Sequence, residues 1–284
     1  MPKALLLDLD GTLYSGGAPI AGVAAALAAI RHRGVPCRFL TNTTSASRAG
    51  LVERLRSFGF EVSASEIVTP LVSATALLKA EGIRRVMPFV PGAALADLAE
   101  FELTGGTAGE GGWGEGGNAH GSSIEPGVPV VTASSTSSAV LIGDLGPQWS
   151  FDLMQSAFEA LNAGARFLAL SRDRYFQSAG GLRLDAGAFV TGLEYATGRT
   201  ADIMGKPSMP YYHQALASLG AGWDPADVVM VGDDLWSDIQ GAQRAGCQGW
   251  LVRTGKFREE TLRDSGIVPD RIIASAAELM ELLA

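Results

Sequence analysis

The sequence predicts an α/β protein, a Rossmann-like doubly wound parallel sheet interrupted by a second, inserted α/β unit. Three observations predict it. Short apolar runs alternate with helix-length amphipathic segments at both ends of the 284-residue chain, the pattern of a parallel sheet. The alternation breaks off between about residues 82 and 199 and resumes beyond them. Four of the apolar runs in the two outer stretches are each followed at once by polar residues, as happens where parallel strands end at a ligand-binding edge.

Taken in order, residues 4–9 read as a buried strand and 21–33 as a helix ended by Gly34. Val35 to Leu40 is a second apolar run. The polar cluster Thr41-Asn42-Thr43-Thr44-Ser45 supplies caps for a helix through Leu51, Leu55 and Phe58. Residues 66–80 read as one further helix. In the middle, Val86–Val90, Ala139–Ile142 and Phe167–Leu170 read as strands, and 151–163 and 186–197 as helices. Nine glycines fall within the twenty residues from Thr104 to Ser123, which reads as a low-complexity, mobile loop. Gly109-x-Gly111-x-x-Gly114 superficially matches a dinucleotide fingerprint, but no strand leads into it and no amphipathic helix opens from it. After Ile203-Met204-Gly205-Lys206-Pro207 come a helix over 208–219, a strand over 228–231, a helix over 238–245, a strand over 249–252 and a helix over 276–283. The expected organisation is a core from 1–81 and 200–284 and an insert over 82–199, with a Gly-rich loop near 102–137.

The composition is 47% hydrophobic and 18% charged, with a net charge of −8. That is globular, and no basic stripe points to nucleic acid. Cys37 and Cys247 stand apart outside any C-x-x-C pattern and read as free thiols of a reducing compartment. The chain enters a strand almost at once without a charged-then-apolar leader, and its longest alanine-rich stretch, Ala21 to Ile30, is too short to span a bilayer. A cytoplasmic protein, off the membrane, is expected. His32, His120 and His213 lack metal-ligand spacing.

The chemistry begins at Leu5-Leu6-Leu7-Asp8-Leu9-Asp10-Gly11-Thr12. Alternation along a strand can send Asp8 and Asp10 to one side of its carboxyl end. Carboxylates this close repel unless a proton or cation intervenes. A calcium loop would need Gly at its sixth position and Glu at its twelfth, where Leu13 and Pro19 stand. Thr41/Asn42, Lys206 and Asp233/Asp238 follow apolar runs in the same way. Together they offer a carboxylate nucleophile, a neighbouring acid/base, a hydroxyl and an amide for phosphoryl oxygens, a fixed cation and further carboxylates, the inventory of phosphoryl transfer. The hard oxygen set suits Mg²⁺. Taken singly, Thr41 and Asn42 could be helix caps, Lys206 a surface lysine and Asp238 a helix N-terminal charge.

The order Asp8-x-Asp10-Gly11-Thr12, Thr41, Lys206, Gly232-Asp233-x4-Asp238 resembles the four-motif set of the haloacid dehalogenase (HAD) superfamily. The long insert between the second and third motifs resembles its C2-capped branch. Phe39-Leu-Thr-Asn-Thr-Thr44, Leu51-Val-Glu-Arg-Leu-Arg56, Phe189-Val-Thr-Gly-Leu-Glu-Tyr-Ala-Thr197 and Gly232-Asp-Asp234 resemble the group of phospholysine phosphohistidine inorganic pyrophosphate phosphatase and haloacid dehalogenase-like hydrolase domain-containing protein 2. The segment near 102–137 departs from that group.

The resemblance implies an aspartyl phosphate on Asp8, with Asp10 protonating the leaving oxygen, then activating water. It also implies phosphoryl oxygens held by Thr41 and the backbone at Asn42, charge balance from Lys206, and Mg²⁺ on Asp8, the Asp10 carbonyl and Asp233. Asp238 would orient waters or Lys206, and Asp234 would point elsewhere. A carboxylate at Asp10 favours phosphate ester, phosphoramidate or pyrophosphate hydrolysis over dehalogenation, since halide leaves without a proton. Within the insert, Ser171-Arg-Asp-Arg174-Tyr175-Phe176 is a candidate substrate loop, with Arg174 and Tyr175 matching an Arg-Tyr pair of the relative; a solvated loop is the plain alternative. Asp185-Ala186-Gly187 is expected to turn near the active site. A small phosphorylated molecule is the expected substrate, and a homodimer through the cap is open to the chain. Two other readings stay open, a HAD-fold binding or regulatory protein with weak catalysis and a phosphotransferase.

Overall fold

In the computed structural model, which describes residues 2–106, 138–178 and 181–282, the run Ala-Leu-Leu-Leu-Asp forms the strand Ala4–Asp8. Every residue of it is buried. Leu6 joins Ala4, Val228 and Met230 in a cluster with Tyr211, Tyr212 and Ala215. Alternation sends Leu5 and Leu7 to the opposite face, where both are also fully buried. A strand covered on both faces has to be apolar throughout, which is why the run shows no polar alternation.

The chain divides into two units. The first comprises Met1–Thr43, Arg48–Ser73 and Met204–Ala284. Its six-stranded sheet runs Arg271–Ile273, Gln248–Val252, Val228–Gly232, Ala4–Asp8, Cys37–Leu40, Ile67–Val68, with every pairing parallel. Ala4–Asp8 sits inside the sheet, between a strand from its own end of the chain and one from the far end. The strand order reverses there, and such a switch point opens a crevice at the carboxyl ends of the strands. The helix Val23–His32 buries Val23, Ala26, Leu27 and Ile30, the i, i+3, i+4, i+7 stripe of a helix lying on a sheet.

The second unit comprises Thr44–Ser47 and Ala74–Ile203. Its parallel sheet runs Asp202–Ile203, Arg166–Ala169, Ser138–Ile142, Arg85–Phe89, Glu102–Leu103. The helices Phe151–Asn162 and Ala186–Thr197 pack Ala157, Leu161, Val190 and Leu193 into one core with Phe89, Val140 and Phe167. Ser150 caps the first through Leu153 N at 3.2 Å. The second ends at Gly198, whose φ of 67° is the left-handed conformation a helix stop requires.

Four expectations change. The stretch 66–80 is not one helix: Ile67–Val68 is an edge strand and the helix is Pro70–Ala80. Pro70 lacks an N–H and fits a first helical turn, and Thr69 Oγ1 accepts from Val72 N at 3.2 Å. The cluster 41–45 does not cap the next helix, which starts only at Arg48; Thr41 turns back on Thr43 instead. The helix expected over 238–245 is a π-type turn over Leu235–Gln240 followed by Gly241–Arg244, because Asp234 caps it earlier. An antiparallel hairpin, Tyr175–Ser178 with Gly181–Leu184, stands where only a loop was expected. The Gly-rich segment from 107 to 137, with the Gly109-x-Gly111-x-x-Gly114 match and His120, lies outside the described residues. Among the described residues no helix is long and apolar enough to cross a membrane.

Candidate active site

Asp8 is the last residue of its strand and is buried. Two side chains of the first unit reach it. Thr12, fully buried in the turn that follows, donates to Asp8 Oδ2 at 3.4 Å. Lys206 Nζ donates to Asp8 Oδ1 and, at 2.7 Å, to Asp238 Oδ1. The ammonium therefore bridges two carboxylates with almost no solvent contact, 4% of the lysine side chain being exposed. Burial works against the charge on Lys206, but Asp238 and Asp8 outweigh it and hold the ammonium well above its ordinary pKa.

Lys206 is delivered to this position by its backbone. Its N–H donates to Asn42 Oδ1 at 2.7 Å, and Asn42 Nδ2 donates to its carbonyl at 3.0 Å. A cis peptide bond to Pro207 follows. The side-chain amide of Asn42 is thus committed to Lys206. Thr41 is buried, with Oγ1 donating to Thr43 Oγ1 at 3.0 Å and accepting from Thr43 N at 3.0 Å.

Asp233 leaves the strand Val228–Gly232, the neighbour of Ala4–Asp8. Its Oδ2 accepts from Lys256 N at 2.6 Å. Two glycine backbones close on that carboxylate: a Cβ at Gly11 or at Gly255 would stand 2.0 Å from Asp233 Oδ2. Thr254 Oγ1 donates to the Gly11 carbonyl, tying the 254–256 loop to the Asp10–Gly11 turn. Burial and the negative charge of Asp8 push Asp233 up to about 7. Asp238 is fully buried. Its Oδ2 accepts from Asp234 N at 3.1 Å, and burial raises its carboxyl above the usual range against the pull of Lys206.

One oxygen from each of Asp8, Asp233 and Asp238 lies within 4.8 Å of the others. Three buried carboxylates around one lysine leave an excess of negative charge out of water, and an all-oxygen donor set of this kind fits a hard divalent cation. Asp238 belongs to this group, with its Oδ1 on Lys206 Nζ. Asp10 does not belong to it through its side chain. It is exposed on the turn, but the protein mass around its carboxyl, with the charge of Asp8, holds its pKa above the usual range. Asp234 points away, as expected: Oδ1 accepts from Trp236 N and Ser237 N, each at 3.0 Å, and Oδ2 pairs with Lys256 Nζ at 3.0 Å.

Three groups that hold the site escaped the sequence reading. Tyr211 OH accepts from Thr41 N at 2.9 Å and lies 2.7 Å from the Val68 carbonyl, pinning the end of the Thr41 strand. Tyr212 OH reaches the carbonyls of Ser237 at 2.7 Å and Asp238 at 3.0 Å. Thr254-Gly255-Lys256 makes the back of the Asp233 pocket. A consecutive Tyr-Tyr pair just after Lys206 was the one available signal, and it reads equally as core.

Arg174 and Tyr175 belong to the second unit. Both are exposed, with the guanidinium carbon 6.0 Å from the ring centroid. The loop before them is pinned by Gly187, whose N–H donates to Asp173 O at 3.0 Å and where a Cβ would stand 2.5 Å from the Arg172 and Asp173 carbonyls. Asp185 accepts from Ala186 N at 2.6 Å, starting the helix.

Comparison with known proteins identifies the family. The model of a haloacid dehalogenase-like hydrolase family matches residues 5–104, and a HAD-hydrolase-like model matches 203–279. The chain is 35% identical over 256 residues to haloacid dehalogenase-like hydrolase domain-containing protein 2 of Bos taurus, covering 90% of this chain and 86% of that one. It is 31% identical over 287 residues to human phospholysine phosphohistidine inorganic pyrophosphate phosphatase, covering 99% and 94%. Among solved structures, the p-nitrophenyl phosphatase from Archaeoglobus fulgidus superposes with a TM-score of 0.82 at 26% identity, covering 99% of both chains. NagD from E. coli K-12 does so with 0.79 at 25%, covering 98% of both.

Proposed function

The chain belongs to the haloacid dehalogenase-like hydrolase family and is a phosphatase of that family, and from that premise we propose that it hydrolyses a small phosphorylated molecule through a phosphoenzyme on Asp8, with Mg²⁺ as cofactor, in the cytoplasm. The observation that carries this reading is the convergence of Asp8, Lys206, Asp233 and Asp238 at the ends of two adjacent parallel strands.

In the first step a carboxylate oxygen of Asp8 attacks phosphorus, the bond to the leaving oxygen breaks, and Asp10 gives that oxygen its proton. An Asp10 carboxyl raised by crowding and by Asp8 is suited to hold a proton for this purpose. In the second, Asp10 takes a proton from water, the water oxygen attacks phosphorus, and the bond to Asp8 breaks with release of phosphate. Lys206 balances the charge of Asp8 and the phosphoryl group. Thr41 and the backbone at Asn42 receive phosphoryl oxygens. Asp8, Asp233 and the Asp10 carbonyl would hold Mg²⁺, with Asp238 oriented on Lys206. The bound ion supplies positive charge against the phosphoryl oxygens. Arg174 and Tyr175 are the proposed substrate-reading pair of the inserted unit.

Hydrolysis of an aryl phosphate with and without Mg²⁺ tests this reading. Wild-type turnover is expected to require the metal, and Asp8→Asn to lose about a thousandfold or more. Equal turnover by Asp8→Asn would remove Asp8 as the nucleophile.

A further inference from the structure

Arg54 stands on the helix Arg48–Ser57 with its side chain exposed. Its guanidinium carbon lies 4.6 Å from the centroid of the Tyr14 ring and 5.9 Å from that of Phe58, two rings that meet at 5.4 Å. Tyr14 is buried and fixed to the turn that carries Asp10: its carbonyl accepts from Gly11 N at 2.7 Å and its N–H donates to Leu9 O at 3.3 Å. Stacking on a ring uses the face of a guanidinium and leaves its in-plane N–H donors for another group. Among the described residues no carboxylate pairs with Arg54, whereas Lys206 is held by Asp8 and Asp238, and Lys256 by Asp234. The Tyr14 carbonyl on Gly11 N sets this cation against the turn that carries Asp10, and its positive charge works against the rise of the Asp10 carboxyl.

We infer that Arg54 is a specificity-determining residue that receives a negative charge on the leaving group, so that the favoured substrates are phosphoryl compounds whose leaving group is itself an anion, a second phosphate or a carboxylate. The inference rests on the proposed phosphatase reaction, because it takes the leaving group to lie on the Asp10 side. Lys206 and the metal would answer the charge of the transferred phosphoryl group, and neither is needed to explain a further cation set on the aromatic pair beside the acid. Contact with the two rings already restricts the rotamers of the Arg54 side chain.

A matched pair of aryl phosphates tests it with Mg²⁺ present. 4-Carboxyphenyl phosphate carries the anion, and 4-carbamoylphenyl phosphate has nearly the same shape without it; inorganic pyrophosphate is the arm with a phosphate anion. The readout is the ratio of kcat/KM for charged over neutral probe in wild type, Arg54→Gln and Arg54→Lys, since comparing ratios between variants cancels the difference in leaving-group basicity. Wild type is expected to prefer the charged probes. Arg54→Gln is expected to cut that preference about tenfold, the size of one hydrogen bond to a charged group, with Arg54→Lys retaining part of it. Added salt is expected to weaken the wild-type preference. Loss for pyrophosphate alone would assign Arg54 to a phosphate anion, and loss for both probes to either anion. A wild type without the preference, or a preference unmoved by Arg54→Gln, overturns the role of Arg54 while leaving the phosphatase reaction standing. Absence of turnover on all three probes overturns both.

Discussion

Asn42 holds Lys206 by both of its amide atoms, Oδ1 accepting the Lys206 N–H at 2.7 Å and Nδ2 donating to the Lys206 carbonyl at 3.0 Å. Two opposed hydrogen bonds to one residue fix its backbone in position and orientation. The ammonium at the far end of that residue is shared by Asp8 and Asp238, so a small displacement of the backbone is felt at Asp8.

Asn42→Ala is therefore expected to lower kcat by about a hundredfold, as a misplacement on the scale of 1 Å does in an oriented site. KM is expected to change far less, because the side chain spends both atoms on Lys206. Steady-state kinetics on an aryl phosphate separates the two; a change confined to KM would put the Asn42 side chain on substrate instead.

Lys206→Met leaves Asp8 and Asp238 buried against each other without their cation. Removing one partner of a buried ion pair costs about 3–5 kcal/mol, so a lower melting temperature is expected together with loss of turnover. The drop is expected to be larger in EDTA than in Mg²⁺, since the ion can answer part of the carboxylate charge. Thermal melts of both proteins in both buffers check this, and a drop that ignores the metal would mean that the acidic group does not bind it.

Gly255 has a φ of +59°, and a Cβ there would stand 2.0 Å from Asp233 Oδ2 and 2.6 Å from Gly11 Cα. Gly255→Ala must push the Asp233 carboxylate or the 254–256 loop aside. An apparent Mg²⁺ affinity about tenfold or more weaker is expected, the usual effect of disturbing the support of a metal ligand. Titrating activity with Mg²⁺ measures it.

Burial pushes the Asp185 carboxyl up to about 6, against the N–H it accepts from Ala186. An unfolded chain releases that proton near 3.8, the ordinary value of an aspartate. Between the two values the folded state keeps a proton that the unfolded state has lost, so stability falls as pH rises through this window and levels off above it. Asp185→Asn keeps the acceptor oxygen and has no proton to release. The stability of the variant relative to wild type is expected to rise from pH 4 to pH 6 and then hold constant, read from melts over pH 4–8. A difference independent of pH would refute it.

The proposed site residues were legible in the sequence because most of them follow an apolar run. Asp8 and Asp233 do stand at the ends of adjacent core strands, but Lys206 follows Asp202–Ile203, which pairs in the second unit's sheet instead of the core sheet, and Asp238 stands inside the turn Leu235–Gln240. Asp8, Lys206, Asp233 and Asp238 do meet in one group. What holds them was not legible. Thr254-Gly255-Lys256 works through a hydroxyl on a carbonyl, an absent side chain and a backbone N–H, none of which has a compositional signature. Tyr211 and Tyr212 read as core residues and are buried as core residues; only their hydroxyls act on the site, Tyr211 at the end of the Cys37–Leu40 strand and Tyr212 on the turn Leu235–Gln240. The edge strand Ile67–Val68 was absorbed into a helix because two apolar residues carry no periodicity, although Pro70 marked the boundary.

Asp8 and its cation are 198 residues apart in the chain. As the polypeptide leaves the ribosome from its amino end, the strand Ala4–Asp8 and its neighbour Cys37–Leu40 are made long before Lys206, Asp233 or the strand Val228–Gly232 that completes the sheet around them. The first unit cannot close until Met204–Ala284 has been synthesised, and a loop of that span carries the entropy of a non-local contact. A chain cut short within the second unit would lack the lysine, two of the three carboxylates and the strand Val228–Gly232 together.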